Sequence, residues 1–330
     1  MGRPRARVRG ILAAEGLSPR GGQLHATPQA RSRTAERVPD RSPHPVENPV
    51  TQLRLVLVLI ALVLPISSPS IAQSTDETSL RARIDRAVMP YVEAGDFMGV
   101  VAVGQPGEDP LLLSFGFASA ELGTPHRGDG IFMIGSVSKH FTAVAILLLE
   151  EDGKLATTDT IESYFPELDR ADRITVEQLL THTGGVADIY SLARFGVTEG
   201  RAGSFDETIA DVVAAPLDFE PGSQAQYSNG GYALLAAIVE QESGLSYGEF
   251  LARRLFEPLD LRDSAHDAPV AAVPRRVPGY LPWGIDDRTP AVPVAGGWLA
   301  GSGSLWSTGR DLLKWASALH GGGILSDESY

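Results

Sequence analysis

Cysteine is absent from the 330 residues. That excludes disulfides, zinc–thiolate sites, iron–sulfur clusters, a thiol nucleophile and a cysteine-linked lipid anchor. No His-Glu-x-x-His or comparable ligand spacing occurs, and Gly321-Gly322-Gly323 lacks the preceding strand and following lysine that a phosphate cradle needs. Positive charge is also scarce: Lys+Arg number 28 against 41 Asp+Glu, for a formal net charge of −13. Residues 1–72 hold ten arginines and four acidic residues, a balance of +6, which leaves −19 on residues 73–330. A body this acidic is soluble and disfavours nucleic acid and anionic surfaces as partners.

Long apolar runs are missing too. Leu55–Leu64, LVLVLIALVL, is ten residues long and is stopped by Pro65. Ten residues cannot span a bilayer as a helix, but they match the apolar region of a secretory signal, and Ser70-Ile71-Ala72 predicts cleavage after Ala72. Residues 1–49 are rich in Arg, Pro, Gly and Ser without hydrophobic period, so they read as a disordered basic segment. A signal normally starts close to its apolar region. The expected organisation is therefore a translation start near Val50, a signal peptide over 50–72, and an exported body, periplasmic or extracellular, over 73–330 with no membrane span after cleavage.

Within the body, Leu80, Ile84, Val88 and Tyr91 recur at helical spacing from Thr75 onward. Met98–Val103 and Leu111–Phe117 flank the turn-rich QPGEDP and predict a β-hairpin. Ile131–Ile134 runs through Gly135 into SVSKHFTAVAILLLEEDG, where Phe141, Val144, Ala145 and Leu148 share one helix face and Gly153 ends it. Further helices are expected at 176–180, 231–241, 247–255 and 310–319.

The chain has three lysines, Lys139, Lys154 and Lys314, and the first lies in Ser136-Val137-Ser138-Lys139. The tetrapeptide alone is a weak signal, but its placement adds to it. An i, i+3 spacing at the start of an apolar helix stacks Ser136 and Lys139 one turn apart. The positive helix end and burial both disfavour an ammonium there, so a neutral Lys139 is available to take the serine proton. The competing reading makes Ser136 an N-cap and Lys139 a solvated side chain. Ninety-one residues on, Tyr227-Ser228-Asn229 precedes another apolar helix. A phenol near a lysine shuttles protons, and an Asn amide both donates to and accepts from a substrate amide.

Together with the segments IGSVSKHFTAVAILLLEEDGKL, ITVEQLLTHTGGV, FEPGSQAQYSNGGYALLAAIVEQESGLSYGEFLARRLFEPLDL and AGGWLAGSGSLWSTGRDLLKWASAL, these motifs make the chain from about Leu80 to Ser329 resemble the class C β-lactamases, the related DD-peptidases and the esterases of the same fold. The resemblance implies an α/β (α+β) fold in which an antiparallel sheet flanked by helices stands beside a mainly helical region over 155–267. It also implies a serine hydrolase working through an acyl-serine intermediate on an ester, a β-lactam or a D-amino-acid peptide, peptidoglycan fragments included, with no metal or cofactor. Carried over by position, Ser136 is the nucleophile, Lys139 its proton partner, Tyr227 a second acid/base and Asn229 a substrate-amide contact. The backbone N–H of Ser136 is half of the oxyanion hole.

The family's third element, Lys-Thr-Gly or His-x-Gly, is not found; Ser307-Thr308-Gly309 and His320-Gly321-Gly322 read as loop and cap residues. The chain is therefore expected to stop before the final strands of the fold, with weak activity, and esterase or peptidase action ranks above lactamase. The alternative is a non-catalytic binder of cell-wall or peptide ligands. His182 reads as a loop or core histidine, and Trp283, Trp298, Trp306 and Trp315 as core or pocket wall.

Overall fold

The computed structural model describes residues 70–192, 203–266, 275–281, 289–291 and 296–330. The run Leu55–Leu64, the segment 1–49 and Trp283 lie outside the described residues. Helix α1, Ser70–Glu93, leads into β1, Gly99–Val103, and β2, Leu111–Phe115, which pair antiparallel with Val101 opposite Leu113. This is the expected hairpin. Leu80, Ile84 and Val88 are half-buried as their spacing predicts, but Tyr91 is 61% exposed and Val92 takes the inward place instead. Strands β3, Phe117–Ser119, and β4, Thr124–Pro125, form a second short ladder.

Strand β5, Phe132–Met133, enters α2, Ser138–Glu151, by a 3₁₀ turn over Gly135–Val137. The apolar face read from the sequence is the buried one: Phe141, Val144, Ala145 and Leu148 all lie in the core. Helix α2 is capped by Asp152, and Gly153 follows with φ +67°, the left-handed conformation that closes a helix without a Cβ penalty. Helices α3, Val176–Leu180, and α4, Phe205–Ala214, each start with a capping box, Thr175 with Gln178 and Ser204 with Glu207. Helix α5, Asn229–Ser243, is capped by Ser228 and stopped by Gly244 in the left-handed region. Helix α6, Tyr247–Leu251, continues as a π turn over Ala252–Phe256, so the helix expected at 247–255 is regular only in its first half.

Helix α5 is the axis of this region. It is buried from Asn229 to Val239, and α2, α3, α4 and α6 all pack on it. A helix apolar on every side has no solvent face and must be wrapped in this way. Strands β6, Ala265–His266, β7, Tyr280–Leu281, β8, Thr289–Pro290, and β9, Leu305–Ser307, then precede α7, Gly309–His320. Strand β9 lies between β5 and β6, with Met133 opposite Trp306 and Trp306 opposite Ala265. The single flanked sheet expected from the sequence is thus, among the described residues, four small antiparallel pieces. Runs of two or three paired residues carry too little alternation to be read in advance. The mixed α/β character and the helical region stand as expected.

Trp298 and Trp315 are each 2% exposed, and Trp315 stacks on Phe141 in the core. Thr308 caps α7 by accepting from the Asp311 N–H, and His320-Gly321-Gly322 closes the other end of that helix. Thr308 and Gly321 are cap residues as expected, whereas Ser307 ends β9 instead of lying in a loop. Among the described residues no helix is long and apolar enough to cross a membrane.

Candidate active site

The N-terminal ends of α2 and α5 face one another. On the first, Ser136 lies in the 3₁₀ turn with an exposed side chain, and it does not cap α2; Val137 holds that position. Ser138 points inward and its Oγ accepts the Leu305 N–H of β9 at 3.1 Å, which ties the turn to the three-stranded sheet. Lys139, one position on, is 6% exposed, so the solvated-lysine reading does not hold. On the second helix, the Ser228 cap fixes Tyr227 just outside α5 and Asn229 at its first position.

These four side chains converge. The Ser136 Oγ lies 2.6 Å from the Tyr227 hydroxyl, a strong hydrogen bond between residues 91 apart in sequence. Lys139 Nζ donates to Asn229 Oδ1 at 2.8 Å and to the Ser302 carbonyl at 2.7 Å, and it sits 4.6 Å from the centre of the Tyr227 ring. Burial pulls the Lys139 pKa below the ordinary amine value, against the hydrogen bond to Tyr227 and the charges of Tyr227 and Asp188. A lysine so placed is easier to hold neutral, and a neutral amine has a lone pair for a proton. Ser136, Tyr227 and Asn229 line a cavity of about 580 Å³, with Tyr190, Arg276 and Trp306 in its wall. Arg276 is brought there because its neighbours bond to Ile131, and its guanidinium lies 4.1 Å from the Trp306 ring. Trp306 is pocket wall, as the sequence reading allowed.

Two floors support the site. Thr142, one turn below Lys139, donates to the Gly301 carbonyl at 2.6 Å and accepts from Tyr247 at 2.7 Å; burial pushes the Tyr247 phenol up, so it stays a donor. On the α5 side, Gly230 lets the helix approach the chain at Ala187, whose carbonyl would lie 2.2 Å from any Cβ added there. That close approach brings Asp188 to Asn229, from whose N–H and Nδ2–H it accepts at 2.8 and 2.9 Å.

Sequence reasoning left three contributors unnamed or unplaced. Asp188 and the Ser302 carbonyl went unremarked, and His182 was read as a loop histidine. It is a loop residue, but one bracketing Tyr227: its carbonyl accepts the Gln226 N–H, its Nδ1 accepts the Ser228 N–H at 3.2 Å, and its ring lies against those of Tyr227 and Tyr232. Its backbone is left-handed, φ +61°, a conformation non-glycine residues hold only where surroundings enforce it. The segment LLTHTGGVAD carried the signal, in that a His and an Asp six residues apart flank a Gly pair.

Nδ1 can accept only while the imidazole is neutral. Burial, then the charge of Lys139, lowers the His182 pKa, while Asp188 opposes. The neutral form is thus favoured by folding. This stability is present above the unfolded value of about 6.5 and lost as pH falls through the folded value. The melting temperature is expected to drop below about pH 6.5, and His182→Asn, which keeps a neutral acceptor, to flatten that part of the profile. An identical pH dependence in both proteins would refute the assignment.

The pattern for beta-lactamases matches residues 84–330, most of the chain and all four converging side chains. The chain belongs to the beta-lactamase family. The esterase EstB of Burkholderia gladioli is 32% identical over 223 residues, covering 62% of this chain and 55% of EstB. The teichoic acid D-alanine hydrolase of Staphylococcus aureus (strain MRSA252) is 26% identical over 183 residues, covering 56% and 43%. The chain thus spans about half the length of these curated relatives. Among solved structures, the D-amino acid amidase from Ochrobactrum anthropi SV3, complexed with L-phenylalanine amide, superposes with a TM-score of 0.68 at 28% identity, covering 76% of this chain and 72% of the amidase. Like other members of the beta-lactamase family, the chain has a mixed α/β fold.

Proposed function

We propose that the protein is a serine hydrolase that acylates Ser136. The observation that carries this is the 2.6 Å contact between the Ser136 and Tyr227 hydroxyls beside the buried Lys139 amine. In this reading Ser136 Oγ attacks a carbonyl carbon while its proton passes to Tyr227 and on to Lys139. The tetrahedral oxyanion collapses, expelling the alcohol or amine, which takes the proton back. Water then attacks the acyl-serine ester by the reverse relay, leaving a carboxylic acid and free Ser136. The substrate is an ester or a D-amino-acid amide or peptide, peptidoglycan fragments included. The esterase and D-amino acid amidase relatives support this choice, and β-lactams rank below. No step calls for a metal or cofactor.

A fluorophosphonate probe tests it: a covalent adduct is expected on the peptide containing Ser136, found by mass spectrometry. Folded protein that takes no adduct would refute acyl transfer and leave a non-catalytic binder. Export is part of the same proposal, on the strength of Leu55–Leu64 and Ser70-Ile71-Ala72. A secreted chain beginning at Gln73 supports it, and a mature chain beginning upstream of Val50 overturns it.

A further inference from the structure

Asp188 reaches Lys139 at one remove, through Asn229 at the first position of α5. Its Oδ2 accepts both the backbone N–H and the Nδ2–H of Asn229, and its Oδ1 accepts the Tyr190 N–H at 2.8 Å. An Asn amide has a donor end and an acceptor end. With Nδ2 committed to a carboxylate, Oδ1 is forced to the opposite side, where it meets Lys139 Nζ at 2.8 Å. Asp188 itself is fixed, since it caps the 3₁₀ turn Ile189–Ser191.

We propose that Asp188 is a positioning residue for the reaction at Ser136: through Asn229 it fixes the orientation of the Lys139 nitrogen and places a carboxylate charge two hydrogen bonds from it. The proposal rests on the acyl-transfer reading for its catalytic consequence, but not for its effect on Lys139. Around that amine stand the phenols of Tyr227 and Tyr232 at 4.6 and 5.3 Å to the ring centres, and the imidazole of His182, whose own ionisation senses Lys139. The carboxylate charge of Asp188 acts on Lys139 and favours the ammonium. Asp188 therefore offsets part of what burial does, and keeps the amine basic enough to hold a proton taken from Ser136.

The scarcity of lysine makes the test direct. Protein carrying lysine labelled with carbon-13 at Cε gives three side-chain signals, and Lys154→Arg and Lys314→Arg, both remote from the cavity, identify that of Lys139. The Lys139 titration midpoint is expected to fall by about one pH unit, a tenfold loss of proton affinity, in Asp188→Asn, and to stay near wild type in Asp188→Glu. Asp188→Ser makes the same comparison without an amide to mispair, should Asp188→Asn not fold. The acid limb of fluorophosphonate labelling of Ser136 should move down with that midpoint. An unmoved Lys139 midpoint in folded Asp188→Asn or Asp188→Ser overturns the proposal. A shifted midpoint in a protein whose wild type takes no label supports the placement of Asp188 and overturns only the acyl-transfer reading.

Discussion

Ser136→Ala is expected to lose about six orders of magnitude in turnover of any substrate the wild type hydrolyses, and all covalent labelling, with no change in fold. The hydroxyl is exposed and its partner is one phenol, so its removal opens no cavity in the core and breaks one hydrogen bond. Almost the whole effect then falls on the transition state, through loss of the one oxygen that the Tyr227 hydroxyl contacts at 2.6 Å in that turn. Steady-state hydrolysis of an activated ester, with circular dichroism as a control, measures both halves. Residual turnover within tenfold of wild type would show that Ser136 is not the nucleophile.

Gly301→Ala should damage the same site through stability. Gly301 has φ +76°, and a Cβ there would lie 2.2 Å from the Tyr232 carbonyl oxygen and 2.8 Å from the Ala236 Cβ. A non-glycine residue in the left-handed region costs about 1–3 kcal/mol, and overpacking typically adds about 1–3 kcal/mol more. A loss of roughly 2–6 kcal/mol follows from the two together, to be read from the urea midpoint. The clash is with the backbone of α5, so the chain at 300–303 has to move away from that helix. Its carbonyls at Gly301 and Ser302 hold Thr142 and Lys139, and labelling of Ser136 should weaken in the fraction that remains folded. Wild-type stability in the variant would mean that this loop is not pressed on α5 as described.

What was legible in advance was local. The apolar face of α2, the boundaries of α3 and the hairpin across QPGEDP all follow from patterns within about fifteen residues, and Ser136, Lys139, Tyr227 and Asn229 stand in short motifs. Helix α4 has a legible start in Ser204-Phe205-Asp206-Glu207, a capping box that the expected helices do not include. Other features had no local signature. Tyr91 fits a helical period as well as Val92 does, and only the packing against the hairpin separates them. The bonds from Asp188 to Asn229, and from Ser302 to Lys139, link residues 41 and 163 positions apart. A single carboxylate or backbone carbonyl shows no period, and the fold alone brings such partners together. Ser307-Thr308-Gly309 and His320-Gly321-Gly322 straddle the start and the end of α7, with Ser307 in β9.

Ser136 stands open while the amine beside it is sunk in the protein. Under the acyl-transfer reading, an acyl group on that exposed oxygen is open to water, and equally to a dissolved alcohol or primary amine. If Ser136 is the acylated oxygen, abundance and nucleophilic strength weigh in which of them carries the group off, and a concentrated alcohol or amine is expected to draw part of it away from water.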